Sequence, residues 1–195
     1  MRKELLAFVI ILNLTAAKAQ YFIGIKAGAN FNEATNKNAP SPMVGKTGFY
    51  AGGWINLPVI NKFHIQPEVL WSTSGYKYTG STPEFTTTFN YIHLLALAQY
   101  SSKRFYMETG PQCGFLLSVI NKGWLSGTAR TKDSFSPTVL SWVAGVGYRL
   151  QRDLGLNARY VFGIGSIANM PGVDIKFNQL TFGFFKTFNL PERKK

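Results

Sequence analysis

The chain has little of what a soluble enzyme is usually built from. It has one cysteine, Cys113, so no internal disulfide can form. Its two histidines, His64 and His93, with that single cysteine, offer no metal-ligand spacing. Beyond residue 20 the aspartates are Asp133, Asp153 and Asp174, scattered among segments that read as connections. Charged residues make up only 15% of the 195 residues, where about 25% is typical of a globular domain. No apolar run approaches the roughly 18 residues of a membrane-crossing helix. No metal, cofactor or catalytic group is therefore expected. A lipid A hydrolase or an omptin-like protease would need a nucleophile or activated water with histidine and carboxylate in reach, and neither histidine has such company.

The first residues read as an export signal. Arg2 and Lys3 form a positive start, residues 5–14 a short apolar stretch interrupted by Asn13, and Ala17-Lys18-Ala19 a small-residue cleavage pattern. The expectation is a signal peptide over residues 1–19 and one domain over 20–195. Without that segment 18 basic and 8 acidic residues remain, a net charge of about +10. Such a surface favours an anionic neighbour such as lipopolysaccharide phosphate, and export excludes nucleic acid.

What is abundant is aromatic: 15% of the chain, with sixteen Phe, and 19 Gly. Period-two alternation places eight strands, at 22–31, 49–57, 63–72, 89–100, 105–117, 139–150, 154–162 and 178–188. In the first, Ile23, Ile25, Ala27, Ala29 and Phe31 alternate with Gly24, Lys26, Gly28 and Asn30. The fourth is nearly continuously apolar from Leu94 to Ala98, so its register stays open. Pro67 weakens the third, because proline withholds a ladder donor.

The connections alternate in length. Residues 32–48, 73–88, 118–138 and 163–177 are long, and 58–62, 101–104 and 151–153 short. This is the pattern of bacterial outer-membrane barrels, with short periplasmic turns and longer outer loops. A soluble sandwich is the competing class, but its crossovers fall irregularly. The expected fold is all-β, an eight-stranded antiparallel up-and-down transmembrane barrel in the cell outer membrane, monomeric, with both termini periplasmic. Phe22, Phe31, Phe49, Phe63, Trp71, Phe105 and Phe188 are candidates for its interfacial aromatic girdles.

The inward face then carries Lys26, Glu68, Glu108, Arg149 and Arg159, with Gln66, Gln112, Asn157 and Gln179. Eight strands enclose only enough room for side chains, so these charges are expected to pair as a lumen network, with Glu68 and Glu108 bridging Lys26 and Arg159. The alternative is a narrow gated pore or small-ligand site. The long connections carry Lys37, Lys46, Lys77, Lys122, Arg130, Lys132 and Lys176 against Glu33, Glu84, Asp133 and Asp174. They are either a solvated mixed surface or a contact for lipopolysaccharide. Trp124 and Phe135 offer an apolar docking point or fold inward. Cys113 falls on the lipid face as a small apolar residue.

As a set, several motifs resemble the PorT-like outer-membrane β-barrel family of Bacteroidota. They are Gly24-Ile25-Lys26-Ala27-Gly28-Ala29-Asn30-Phe31, Gly48-Phe49-Tyr50-Ala51-Gly52, Phe63-His64-Ile65-Gln66-Pro67-Glu68-Val69-Leu70, Asn90-Tyr91-Ile92, Tyr106-Met107-Glu108-Thr109-Gly110-Pro111-Gln112 and Thr181-Phe182-Gly183-Phe184. In the fourth strand the family commonly reads Tyr-Leu-Glu-Ile-Pro, and this chain departs with Tyr91-Ile92-His93-Leu94-Leu95. The resemblance implies an eight-stranded outer-membrane barrel; most such proteins have no assigned activity, and the name-giving member is associated with type IX secretion. The reading is a non-enzymatic barrel with a plugged lumen, acting through its outer loops on outer-membrane lipid and lipopolysaccharide. The alternatives are an accessory barrel docking periplasmic or secretion-machinery proteins, and a narrow pore for small solutes.

Overall fold

The computed structural model describes residues 21–36, 43–78, 85–123, 127–129, 135–150, 153–167 and 175–189. The expected export segment, and Lys37, Glu84, Trp124, Arg130, Lys132, Asp133 and Asp174, lie outside them. Ten strands form: β1 (Phe22–Asn36), β2 (Met43–Gly45), β3 (Thr47–Ile60), β4 (Phe63–Tyr78), β5 (Phe85–Ser102), β6 (Phe105–Gly123), β7 (Gly127–Ala129), β8 (Thr138–Arg149), β9 (Leu154–Gly163) and β10 (Ile175–Asn189).

Eight of them close an antiparallel ring. β1 pairs with β3 on one side and with β10 on the other, and β3–β4, β4–β5, β5–β6, β6–β8, β8–β9 and β9–β10 complete the circuit. The three-residue β2 and β7 add to β4 and β6 beyond this ring. Closure leaves no unpaired edge among the eight, which is what backbone in a bilayer requires.

Alternation sets the faces as the sequence indicates. Ile25, Phe49, Ile65, Val69, Met107, Leu140, Phe182 and Phe184 point outward, and Lys26, Tyr50, Glu68, Gln112, Arg159 and Phe185 are buried inside. The open register of the fourth segment resolves with Phe89, Tyr91, His93, Leu95, Leu97 and Gln99 inside. Aromatics ring both ends of the apolar band: Phe63, Tyr100, Phe105, Tyr148 and Phe188 at the turn end, and Phe31, Phe49, Trp71, Phe115 and Trp142 towards the loop end. Phe22 is not among them. It shares the inward face with Gly24 and Lys26 and packs against Trp54, Tyr106 and Phe185.

The strands run further into the long connections than expected. β4, β5 and β6 have 16, 18 and 19 residues, where a tilted strand crosses the hydrocarbon with about 9 to 11. The extra length lies at the loop end, where outward positions turn polar (Thr86, Thr88, Ser118, Lys122) while inward ones stay buried (Thr87, Phe89, Val119). The ladder continues there although the apolar partner outside has ended.

At the turn end, Asn61 and Lys103 take left-handed φ of 46° and 54°, which lets Asn61-Lys62 and Lys103-Arg104 reverse the chain in two residues. Pro67 is carried on the lipid face: its pairing to Ala96 of β5 is kept, while the β3–β4 pairing skips Gln66 and Pro67. Pro111 is paired with Trp142 of β8, and the β5–β6 pairing skips Gly110 and Pro111. Each proline thus lacks its pairing on one side only.

Candidate functional site

The barrel interior gathers nearly all the buried polar and charged side chains, and they come from strands far apart in sequence. At the loop end the filling is apolar. Tyr76, Phe89, Tyr91, Leu116, Val119, Ile167 and Phe177 form one buried cluster, and Phe135 folds onto it with its ring 4.9 Å from that of Phe89 at 82°. Phe135 is therefore committed inward and is not a docking point.

Next along β4 and β5 stand Ser72 and His93. Ser72 Oγ lies 2.8 Å from His93 Nε2, and Gln112 Nε2 lies 3.1 Å from His93 Nδ1. Both ring nitrogens are thus engaged by interior side chains. The cavities beside this group hold only about 30 and 20 Å³. His93 is a hydrogen-bonded interior residue.

Leu70, Leu95 and Leu97 follow inward with Tyr50, Val143 and Val161 as a second apolar cluster. Leu97 lies in the stretch of β5 that skips its pairing with β6, facing Gly110, where a Cβ would strike the Ala96 carbonyl and the Leu97 backbone.

Beyond these lies the ion cluster. Lys26 Nζ is 2.6 Å from Glu68 Oε1. Arg159 donates to the same carboxylate twice, from Nη2 at 2.7 Å and Nη1 at 2.8 Å, and from Nε to Glu108 Oε1 at 2.5 Å. Gln66 Nε2 adds a donor to Glu68 Oε1 at 2.7 Å, and Asn56 Nδ2 bridges the Gln66 and Gln99 side-chain oxygens, both at 3.0 Å. Two cations face two anions with their side chains at most 3% exposed. A buried bidentate arginine–carboxylate pair with its remaining lone pairs hydrogen-bonded is the geometry in which Coulomb attraction can offset desolvation.

Of the five charges expected on this face, the structure brings four together, and Glu68 alone bridges Lys26 and Arg159. Glu108 contacts only Arg159 of the two cations. Arg149 stands apart at the turn end, donating from Nη1 to Ser101 Oγ at 2.7 Å and to the Lys103 carbonyl at 3.5 Å. Its position on β8, ten residues ahead of Arg159 on β9 across a hairpin, puts the two at different depths, which alternation alone does not reveal. Of the neutral company, Asn157 accepts from Tyr50 Oη at 3.2 Å, Gln112 serves His93, and Gln179 borders the small cavities. Asn56, Ser72 and Trp54 fall on the inward face of their strands by alternation, but their roles in this interior were not anticipated, and neither was the inward placing of Gln99 and Phe185. Asn56 and Gln99 carry the amide chain beneath the ions, and Gln99 could be placed only once the register of β5 was known.

At the turn end the interior widens to a cavity of about 290 Å³, walled by Phe22, Trp54, Tyr106 and Phe185 and bordered by His64, Arg149 and the amides above. Room for these rings comes from glycines on adjacent strands. A Cβ at Gly24 would strike Trp54, one at Gly147 would strike Tyr106, and one at Gly155 would strike Phe185. Among the described residues, no group of three His, Cys, Asp or Glu could hold a metal ion.

Comparison with known proteins agrees with this architecture. The profile of a family described as outer membrane protein beta-barrel domain matches residues 16–169. Among solved structures, Neisserial surface protein A (NspA) superposes with a TM-score of 0.56 at 17% identity, over 85% of this chain and 97% of that one. Ail of Yersinia pestis, the attachment invasion locus protein, in complex with the heparin analogue sucrose octasulfate, gives 0.52 at 14%, over 87% and 99%. OprG of Pseudomonas aeruginosa gives 0.52 at 14%, over 90% and 99%. These likenesses are of fold. No protein of curated function matches the sequence.

Proposed function

The chain belongs to the outer membrane protein β-barrel domain family, and on that premise we propose that it is a non-enzymatic barrel whose lumen is closed to solutes and whose interactions are made by its long connections. One observation carries this reading: among the described residues, the two cavities found between the aromatic cluster at the loop end and the ion cluster hold about 30 and 20 Å³, enough for a water molecule or two. In this reading Lys26, Glu68, Glu108 and Arg159 brace the wall rather than conduct, because every charge is already engaged by a neighbour from another strand. The short turns and both termini face the periplasm and the long connections face outward, following the general plan of such barrels. The opening motif from Gly24 to Phe31 and the Phe63 to Leu70 motif favour the PorT-like branch. Exposed Lys77 and Lys122 at the loop ends of β4 and β6 suit the phosphates of lipopolysaccharide.

Swelling of protein-containing liposomes in isotonic sugar tests the closed lumen. Vesicles carrying the wild type should swell no faster than empty ones in arabinose. The double variant Glu68→Gln/Glu108→Gln should lower barrel stability without opening a path. Wild-type swelling in arabinose would replace this reading with that of a small-solute pore.

A further inference from the structure

We propose that the cavity at the turn end of the barrel is a binding site for a small aromatic monocarboxylate. Its charge is the first reason. Arg149 has no carboxylate partner among the described residues, while the two interior glutamates are turned into the ion cluster with their side chains fully buried. The Lys26 ammonium at the inner boundary is taken by Glu68. Among the described residues the cavity therefore presents one uncompensated fixed cation and no anion, which selects a ligand with a single negative charge.

The guanidinium is also held in place. Nη1 donates to Ser101 Oγ and the Lys103 carbonyl, and the group lies 5.4 Å from the centre of the Tyr106 ring. Nη2 and Nε have no partner among the described residues, and two adjacent donors of an immobilised guanidinium match the two oxygens of a carboxylate. A fixed fork loses less conformational freedom on binding than a free arginine.

The walls supply the second half of the specificity. Phe185 meets Trp54 edge-on at 6.3 Å and 80°, and Tyr106 at 5.8 Å and 64°, and Phe22 packs against the same group. Rings set at steep angles to one another offer both faces and edges to a flat guest. The Trp54 indole nitrogen and His64 Nδ1 in this wall have no hydrogen-bond partner among the described residues, so its polar capacity is not used up by the protein. A volume of about 290 Å³ falls just short of the range of about 300 to 1,000 Å³ for ligand pockets, which limits the guest to a single ring. The ion cluster closes the inner side, so this is a dead-end site, and in that respect it rests on the closed lumen proposed above.

Calorimetric titration of the refolded protein in micelles with benzoate tests this. The expected result is one saturable site, weakened at least tenfold in Arg149→Gln and unchanged in Lys122→Gln, which removes the same charge from the far end. Benzyl alcohol should not compete, and acetate and phosphate should bind at least tenfold more weakly than benzoate. If Arg149→Gln does not fold, tryptophan emission decides: benzoate should alter it in the wild type and not in Trp54→Phe. No saturable benzoate heat at millimolar concentration, or equal binding by Arg149→Gln, would overturn the site. Phosphate or acetate binding as tightly as benzoate would overturn the ligand class.

Discussion

Glu68 is the side chain on which the interior depends most. Its Oε1 accepts from Lys26, Arg159 and Gln66, and its Oε2 takes the second arm of Arg159. Glu68→Gln leaves Lys26 with no carboxylate and Arg159 with Glu108 alone, and removal of one partner from a buried pair typically costs about 3–5 kcal/mol. Glu108→Gln should cost clearly less, since Arg159 keeps both bonds to Glu68. Urea unfolding in micelles, followed by tryptophan fluorescence, should rank the two in that order, and equal midpoints would show that Glu68 is not the hub. Glycines give a second contrast at this scale. Gly147→Ala places a methyl against the Tyr106 ring, an overpacking worth about 1–3 kcal/mol, whereas Gly53→Ala meets nothing nearer than a carbonyl oxygen at 3.5 Å and should leave the same unfolding midpoint within error. The faces of Lys26, Glu68, Glu108 and Arg159 could be read from period-two alternation, because a strand residue has only two directions to point. The exclusion of Arg149 could not, because depth along the barrel depends on the stagger between strands.

At the scale of the strand, the apolar–polar alternation located all eight ring strands and the short turns between them. It underestimated their reach because it detects a strand through its lipid-facing side chains. Above the hydrocarbon, outward Thr86, Thr88 and Ser118 carry no such signal, although their backbones remain paired, Thr88 with Gly75 and Ile120 and Ser118 with Asn90. Proline shows the converse: Pro67 argued against a strand locally, yet it sits in one with its ladder intact on one side, as does Pro111. Hydrogen exchange in micelles should find the amides of residues 86–90 and 118–122 protected well beyond loop rates, with those of the outward polar positions exchanging as slowly as their inward neighbours. Exchange at unprotected rates over these residues would return them to the connections.

At the scale of the whole molecule, the alternation of long and short connections and the even strand count pointed to a closed ring before any pairing was known, and the β1–β10 ladder closes it over fifteen paired positions. The filling of that ring was less accessible from sequence. Aromatic rings folded over glycines of neighbouring strands, and Phe135 brought in from a connection, are contacts between positions that no local pattern links. The most direct test of the account is single-channel recording of the wild-type protein in a planar bilayer. A braced and capped interior predicts a baseline indistinguishable from that of the lipid alone at ±100 mV. Reproducible unitary conductance steps in the wild type would contradict it.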